Sequence, residues 1–251
     1  MDNKKMNMQT DLLQQMERFP LRFCKPIYFG LTPGKDAGVS INNGTSTLLQ
    51  YQNKFLALTC HHVFKHYRKR LREEREIFFS ISNVHFDPEK QLIYEDEALD
   101  VVAFELTEEQ ASMVSEGSIG IGEAFFRIHD GDLAIVKNND FVAYSGFPGD
   151  LRRLDSYAEI NFGSYSSGAC RVSDIYSDYI CCEFEREHWI SSSYELEPNC
   201  LGGISGGPAF LICRTPENIQ YYKFAGVIYK MHESTESLYI RAATSFPFLK
   251  N

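Results

Sequence analysis

The sequence predicts an all-β protein made of two β-barrels, and three observations support this. Short runs rich in β-branched and aromatic residues recur along the chain, among them STLLQY, DVVAFEL and KFAGVIYK. Turn-forming residues such as Asn42-Asn43-Gly44 and Phe147-Pro148-Gly149 separate these runs. The chain has 251 residues, which is too long for one small sandwich and sufficient for two barrels.

The β-rich region divides near residues 115–135, after the segment TEEQASMVSEGSIGIGE. We therefore predict an N-terminal extension at 1–30, a first barrel at 31–125 and a second barrel at 126–251. Four apolar residues of the extension have nearly helical spacing and predict a short helix: Leu12, Leu13, Met16 and Phe19.

The composition narrows the functional classes. A content of 43% hydrophobic and 24% charged residues is typical of a soluble globular protein. The formal net charge of -9 disfavours nucleic acid as a partner, because phosphate contacts need a basic surface. The basic segment His66–Glu76 is interleaved with acids and predicts a solvated helix or loop with i,i+4 ion pairs.

No window approaches the roughly 18 consecutive apolar residues of a membrane helix. The N-terminus also lacks the apolar core of a signal peptide, so the sequence predicts a cytoplasmic protein without membrane partners. The seven cysteines are odd in number and form no CxxC pair. We therefore expect buried thiols with no disulfide framework, no zinc site and no cofactor.

Three segments combine residue types suited to nucleophilic catalysis: FLALTCHHVF with two histidines, EALDVVAFEL with Asp100, and LGGISGGPAFL with Ser205. Each alone has an ordinary structural explanation as a strand end, a turn or a glycine hairpin. Together they supply a hydroxyl nucleophile, an imidazole base and an orienting carboxylate, each predicted at a strand edge. Glycines around Ser205 allow backbone N–H groups to converge on an oxyanion.

With these motifs the chain resembles the trypsin/chymotrypsin-like serine endopeptidases, in the style of HtrA-like or bacterial intracellular protease domains without a PDZ domain. The segments that carry the resemblance are ALTCHHV, LDVVAF, GISGGPAF, GTSTLL, YSGFPG, FAGVIYK and LYIRAATSFPFL, and it covers about residues 38 to 250. It implies two six-stranded antiparallel barrels with a closing C-terminal helix.

The resemblance also implies site residues. His62 would be the general base, since the family's histidine directly precedes the Val-containing segment, and His61 falls where a small residue is usual. Asp100 would be the orienting acid, Ser205 the nucleophile, and the N–H groups of Gly203 and Ser205 the oxyanion hole. For the side-chain pocket it implies Asn199 near the base and Tyr229, Lys230 and Met231 as one wall.

Ile204 stands where secreted relatives carry an aspartate that pairs with a newly cleaved N-terminus. Activation by trimming is therefore not expected, and control by a regulatory protein partner, an oligomer contact or a loop rearrangement fits better. The leading hypothesis is a serine endopeptidase acting on a protein or peptide substrate, for example a processing protease in bacterial stress or defence. Two alternatives are a pseudoprotease acting as a protein-binding module and a cysteine protease that uses Cys200.

Overall fold

The computed structural model describes residues 18–31, 41–74, 76–116, 123–129, 132–156, 159–184 and 198–250. Within these ranges the protein is mostly β, with few helices. The N-terminal strands are β1 Cys24–Leu31, β2 Ile41–Tyr51, β3 Lys54–Thr59, β4 Ile77–Ile81, β5 Val84–His85, β6 Leu92–Asp96, β7 Val101–Leu106 and β8 Phe126–Ile128. The C-terminal strands are β9 Phe141–Gly146, β10 Arg152–Ser156, β11 Glu159–Phe162, β12 Tyr165–Ile175, β13 Tyr179–Glu183, β14 Pro208–Arg214, β15 Gln220–His232 and β16 Ser237–Ala242. The α-helices are α1 His61–Glu73, α2 Pro88–Gln91 and α3 Glu108–Ser115.

The N-terminal strands form one sheet in the order β5-β4-β1-β2-β3-β7-β6, and β8 pairs with β2 in parallel. This eight-stranded sheet is open in the described residues, because its end strands β5 and β6 do not pair with each other. The expected closed six-stranded first barrel is therefore not observed. Helix α1 places Phe64 and Tyr67 in the core of this sheet, against Phe79 and Phe104. The helix thus fills the space that a closed barrel would enclose.

The C-terminal strands close into a six-stranded barrel, β12-β13-β16-β15-β14-β9, and this part of the fold prediction is confirmed. All six contacts around the barrel are antiparallel. Alternating apolar residues of the strands fill its interior, including Val142, Val172, Ile180 and Ile228. The hairpin β10–β11 forms a separate two-stranded sheet.

The basic segment predicted as a solvated helix or loop lies largely in α1, which begins at His61. Val63, Phe64 and Tyr67 form the buried face of this helix. Its outer face carries the expected i,i+4 ion pairs, Lys69 with Glu73 at 3.9 Å and Arg70 with Glu74 at 2.8 Å. The helix is therefore a core element on one side and a charged surface on the other.

A third apolar cluster joins the sheet to the barrel, and we call it the seam. The ring of Phe126 lies 5.2 Å from that of Phe23 and 4.8 Å from that of Phe210, measured between centroids. Leu49 of the sheet and Phe224 of the barrel are also fully buried there. The two halves thus share apolar core.

The chain ends differ from expectation. Of the residues that predict an N-terminal helix, Leu12, Leu13 and Met16 lie outside the described residues, while Phe19 begins a 3₁₀-helix, Phe19–Phe23. The predicted C-terminal helix is wrong: only two 3₁₀ turns, Ala243–Ser245 and Pro247–Leu249, are present up to residue 250.

Pro247 explains the missing C-terminal helix. Proline has no N–H to donate and pushes the preceding residue out of the helical region. Phe246 accordingly has φ -83° and ψ 109°.

Of the described helices, none is long and apolar enough to cross a membrane. The predicted domain limits remain predictions.

Candidate active site

His62 and Asp100 form a directly bonded pair. His62 is the second residue of α1, and Asp100 directly precedes β7. The imidazole Nδ1 of His62 lies 2.8 Å from Asp100 Oδ2, and the His62 backbone N–H donates to Oδ1 at 2.8 Å. With Nδ1 as donor to the carboxylate, Nε2 becomes the basic nitrogen. The His62 side chain is 42% exposed, which leaves the ring accessible to a second group.

A tight turn between β6 and β7 places the Asp100 carboxylate at the start of the helix. Asp96 Oδ1 accepts a hydrogen bond from the Leu99 N–H at 2.9 Å, and the Asp100 N–H donates to Glu97 O at 3.3 Å. Asp100 has a left-handed φ of 53°, a conformation that aspartate tolerates better than most residues. The sequence predicted Asp100 at the edge of a strand, and the structure places it as the last residue of the turn before β7.

The two adjacent histidines lie in the first turn of α1 rather than at a strand edge, as the sequence had suggested. Successive helical residues diverge by about 100°, so their side chains face different neighbours. His61 is buried, and its Nε2 lies 3.0 Å from Glu95 Oε1, a carboxylate that Arg68 also contacts. His62 is therefore the histidine that meets Asp100.

The Ser205 loop lies directly against the histidine segment. Gly206 packs so closely on Thr59, the last residue of β3, that a Cβ on Gly206 would lie 2.9 Å from Thr59 Cα. The Gly206 N–H donates to Ile228 O at 2.7 Å, which ties the loop to β15. Among the described residues, no hydrogen bond joins Ser205 Oγ to His62 Nε2. The Ser205 loop and the His62–Asp100 pair therefore lie next to each other, where the barrel meets the sheet.

Two peptide groups in this loop have a fixed orientation. Gly202 O accepts from the Gly149 N–H at 2.7 Å, and Ile204 O accepts from the Gly207 N–H at 2.9 Å. In a trans peptide the N–H points opposite to the C=O, so the amides of Gly203 and Ser205 point away from these bonds. Neither amide makes a hydrogen bond within the part of the chain that the structure describes. Such amides are suited to receive an anionic oxygen.

Ile204 is 2% exposed and belongs to the core of the barrel. It presses on Gly146 of β9 so closely that a Cβ on that glycine would lie 2.8 Å from Ile204 Cβ. The side chain thus anchors the middle of the serine loop by apolar packing, at the position where the sequence offers no carboxylate for an ion pair.

The residues expected around a side-chain pocket have distinct environments. Asn199 and Lys230 are exposed, and the Lys230 ammonium lies 5.9 Å from the Tyr239 ring centroid. Tyr229 is half-buried beneath the Arg241 guanidinium, which lies 4.2 Å from its ring centroid. Met231 packs partly against the barrel core. Their assignment to one pocket remains a prediction.

Cys60, the residue before α1, is a neighbour of the pair that the sequence did not single out. Its sulfur and one ligand atom each of His62 and Asp100 lie within 4.8 Å of one another, as metal ligands would. However, the thiol donates to Ile228 O at 3.2 Å, and burial raises its pKa well above the ordinary value, with the Asp100 charge raising it further. Metals bind the thiolate. A protonated, hydrogen-bonded thiol does not fit that role, and we regard Cys60 as a packing residue.

All seven cysteines are free thiols. Cys200, the alternative nucleophile, is exposed at the start of the serine loop, and its sulfur accepts from the Gly202 N–H at 3.3 Å. Among the described residues, no histidine forms a hydrogen bond with the Cys200 sulfur.

Sequence reasoning also missed Thr45 and Gly149, which hold the serine loop by hydrogen bonds. Neither residue type is distinctive in sequence, although both lie in segments that carried the resemblance.

No protein-family model matches the chain, and no curated protein matches it. Among solved structures, the chain is similar to the crystal structure of a thermostable serine protease, AL20, from an extremophilic microorganism. The superposition has a TM-score of 0.44 at 11% sequence identity and covers 88% of this chain and 91% of that chain.

Proposed function

We propose that the protein is a serine endopeptidase that cleaves a protein or peptide substrate through an acyl-enzyme. The observation that carries the proposal is the His62–Asp100 pair, bonded at 2.8 Å, beside a serine loop with two outward amides. A bonded histidine and carboxylate beside a serine are what general-base activation of a hydroxyl requires.

Each residue of the site would have a defined chemical role. Ser205 Oγ attacks the scissile carbonyl carbon while His62 Nε2 takes the hydroxyl proton. Asp100 stabilises the imidazolium, and the amides of Gly203 and Ser205 bind the oxyanion. His62 then gives its proton to the leaving amine, and an ester remains on Ser205. Water, deprotonated by His62, attacks this ester and releases the acid, with the proton returned to Ser205.

The architecture is compatible with a chymotrypsin-like double barrel whose first barrel is left open. The closed barrel carries Ser205, the open sheet and its helix carry Asp100 and His62, and the site lies where the two meet. We infer a distant trypsin-like member of that class, in the HtrA-like style. Apolar anchoring of Ile204 supports a protease that needs no N-terminal cleavage.

The proposal extends to the substrate and to the cellular setting. The acidic net charge of -9 disfavours nucleic acid as a partner, and we propose a protein or peptide substrate in the cytoplasm. Target choice would rest on the cleft, with Asn199, Tyr229, Lys230 and Met231 as its side-chain contacts, or on a regulatory protein partner. A processing role in bacterial stress or defence is compatible with this outline.

Labelling by a fluorophosphonate, followed by intact-mass detection, tests the proposal. Such probes phosphonylate only an activated serine, so we expect one adduct on wild type, located at Ser205. Ser205→Ala and His62→Ala should both abolish the adduct, whereas Cys200→Ala should keep it. An unlabelled wild type whose hydrolysis of an activated ester is lost in Cys200→Ala and kept in Ser205→Ala would replace the serine mechanism with the cysteine alternative.

A pseudoprotease that binds proteins is the second candidate. It is favoured by one observation, the lack of a hydrogen bond between Ser205 Oγ and His62 Nε2 in the described residues. Catalytic hydrogen bonds often form fully only with substrate bound, so this geometry is compatible with both candidates. A folded wild type that stays unlabelled in the presence of candidate partners would favour the binding module.

A further inference from the structure

Thr45 of β2 is fully buried, and each of its polar atoms makes a hydrogen bond. Its Oγ1 donates to Gly203 O at 2.8 Å and accepts from the Phe147 N–H at 2.9 Å. Its backbone N–H donates to Ser205 O at 2.9 Å, and its carbonyl accepts from Thr59 Oγ1 at 2.8 Å. One residue thus links the serine loop, the end of β9 and the end of β3.

These bonds fix both peptide groups that flank Gly203. The Thr45 hydroxyl holds the carbonyl of the Gly203–Ile204 peptide directly. The carbonyl of the Gly202–Gly203 peptide accepts a hydrogen bond from the Gly149 N–H. Gly149 follows Phe147 by two residues, and the Phe147 N–H donates to Thr45 Oγ1. The direction of the Gly203 N–H is therefore set from outside the loop.

The loop needs such external support. Gly203 has φ 106°, in the region that glycine enters most easily, and glycine has the widest conformational freedom of any residue. Its surroundings also permit little movement, because a Cβ there would lie 2.7 Å from Asn43 Nδ2 and 2.8 Å from Gly149 N. A flexible residue is thus held in one conformation by neighbours that belong to β2 and the β9 loop.

We propose that Thr45 is a positioning residue that keeps the Gly203 and Ser205 amides aimed at the oxyanion of the reaction. This inference rests on the proposed function. Because Thr45 belongs to the N-terminal sheet, the amides acquire their orientation when sheet and barrel pack together. The oxyanion site is then formed on folding, with no need for a new chain end.

The test compares isosteric variants. Thr45→Val keeps the shape and removes the hydroxyl, Thr45→Ser restores the hydroxyl, and Thr47→Val is the matched control. Thr47 lies on the same strand, is equally buried and donates to Gly206 O at 2.7 Å, so it loses one buried bond without touching Gly203. Asn43→Ala is a second variant in case Thr45→Val does not fold: it removes the 2.9 Å bond from Asn43 Nδ2 to Phe147 O and the 2.9 Å bond that Asn43 Oδ1 accepts from Arg152.

Two measurements distinguish an effect of Thr45 on the reaction from an effect on the conformation of the serine loop. The first is the second-order rate of fluorophosphonate labelling, and the second is the NMR spectrum of the protein with ¹⁵N-labelled glycine. Removing one oxyanion donor outright costs about 10²–10³ in rate, so misaligning it in Thr45→Val should slow labelling about 10- to 100-fold. Asn43→Ala should slow it less. Thr45→Ser and Thr47→Val should stay within a few-fold of the wild-type rate and should leave the Gly203 amide resonance unchanged, whereas Thr45→Val should shift or broaden it.

Labelling of Thr45→Val at the wild-type rate would overturn the positioning role, as would equal slowing by Thr47→Val. If Thr45→Val does not fold, undiminished labelling of Asn43→Ala would overturn it. An unlabelled wild type would overturn the proposed function itself. In that case an unchanged Gly203 resonance in Thr45→Val would also overturn the claim that Thr45 fixes the conformation of Gly203. A changed resonance would leave Thr45 with a purely structural role.

Discussion

The carboxylate of Asp100 holds His62 at two points, the ring Nδ1 through Oδ2 and the backbone N–H through Oδ1, both at 2.8 Å. This arrangement fixes the position of the helix start and the orientation of the imidazole with one side chain. It also fixes which ring nitrogen carries the proton, because only a protonated Nδ1 can donate to the carboxylate.

Replacing Asp100 with asparagine should lower turnover by about 10⁴. An amide can present its NH₂ to Nδ1, which favours the tautomer with the proton on the wrong nitrogen. The fold should persist, because the turn around Asp96 and Leu99 is unaffected. Steady-state hydrolysis of an activated ester measures the loss, and circular dichroism confirms the fold. Turnover close to wild type would refute the role of Asp100.

His61 and His62 should respond differently to the same substitution. His62→Gln should abolish fluorophosphonate labelling. His61→Gln should keep the labelling rate within a few-fold, because glutamine can still hydrogen-bond to Glu95 and the Asp100 carboxylate is hydrogen-bonded to His62 instead. Parallel intact-mass time courses of the two variants provide the measurement. The reverse result would move the base to His61.

Gly203→Ala should reduce the labelling rate strongly. The new Cβ would meet Asn43, Gly149 and Phe147 at 2.7–2.8 Å, at a φ of 106° that alanine rarely adopts. Gly202→Ala is the matched control, since its Cβ would meet only Cys200 Sγ, at an ordinary 3.4 Å. Comparable rates for both variants would show that the Gly203 amide does not serve the reaction.

Alkylation should distinguish the exposed thiol of Cys200 from buried Cys60. The thiolate is the form that attacks alkylating reagents, and burial raises the pKa of the Cys60 thiol, so Cys60 stays protonated and shielded at neutral pH. Iodoacetamide on the native protein should therefore modify Cys200 and leave Cys60 intact, as read by peptide mass mapping. Early modification of Cys60 would indicate that the segment before α1 opens readily.

The free energy of unfolding should decrease at alkaline pH. Burial raises the pKa of Cys24 and of Cys60 in the folded protein, whereas unfolded cysteine titrates near about 8.5. Above that pH the unfolded chain releases protons that the native chain retains, so stability is complete below it and is lost as the pH rises. Urea unfolding at about pH 7.5 and 9.5 measures the difference. In the double variant Cys24→Ala, Cys60→Ala the decrease should be smaller.

Local patterns predicted the β-rich architecture, because strand and turn preferences act over a few residues, whereas the closed second barrel was implied by the family resemblance. They did not predict that His61 and His62 begin a helix. In isolation, Cys60–His62 resembles the end of strand β3, and the helix is stabilised by burial of Phe64 and Tyr67 against distant strands. The role of Thr45 was equally hidden, since it depends on Gly203, which is 158 residues away.

The shared aromatic seam has a consequence for dissecting the molecule. Phe23 and Leu49 come from the first half of the chain, and Phe210 and Phe224 come from the second, yet all four are buried in one cluster. Either half produced alone would expose its apolar side chains of this cluster to water and lose part of its own interior. Thermal unfolding should therefore occur in a single transition, as followed by circular dichroism, and the protein should not be divisible into two independently stable fragments.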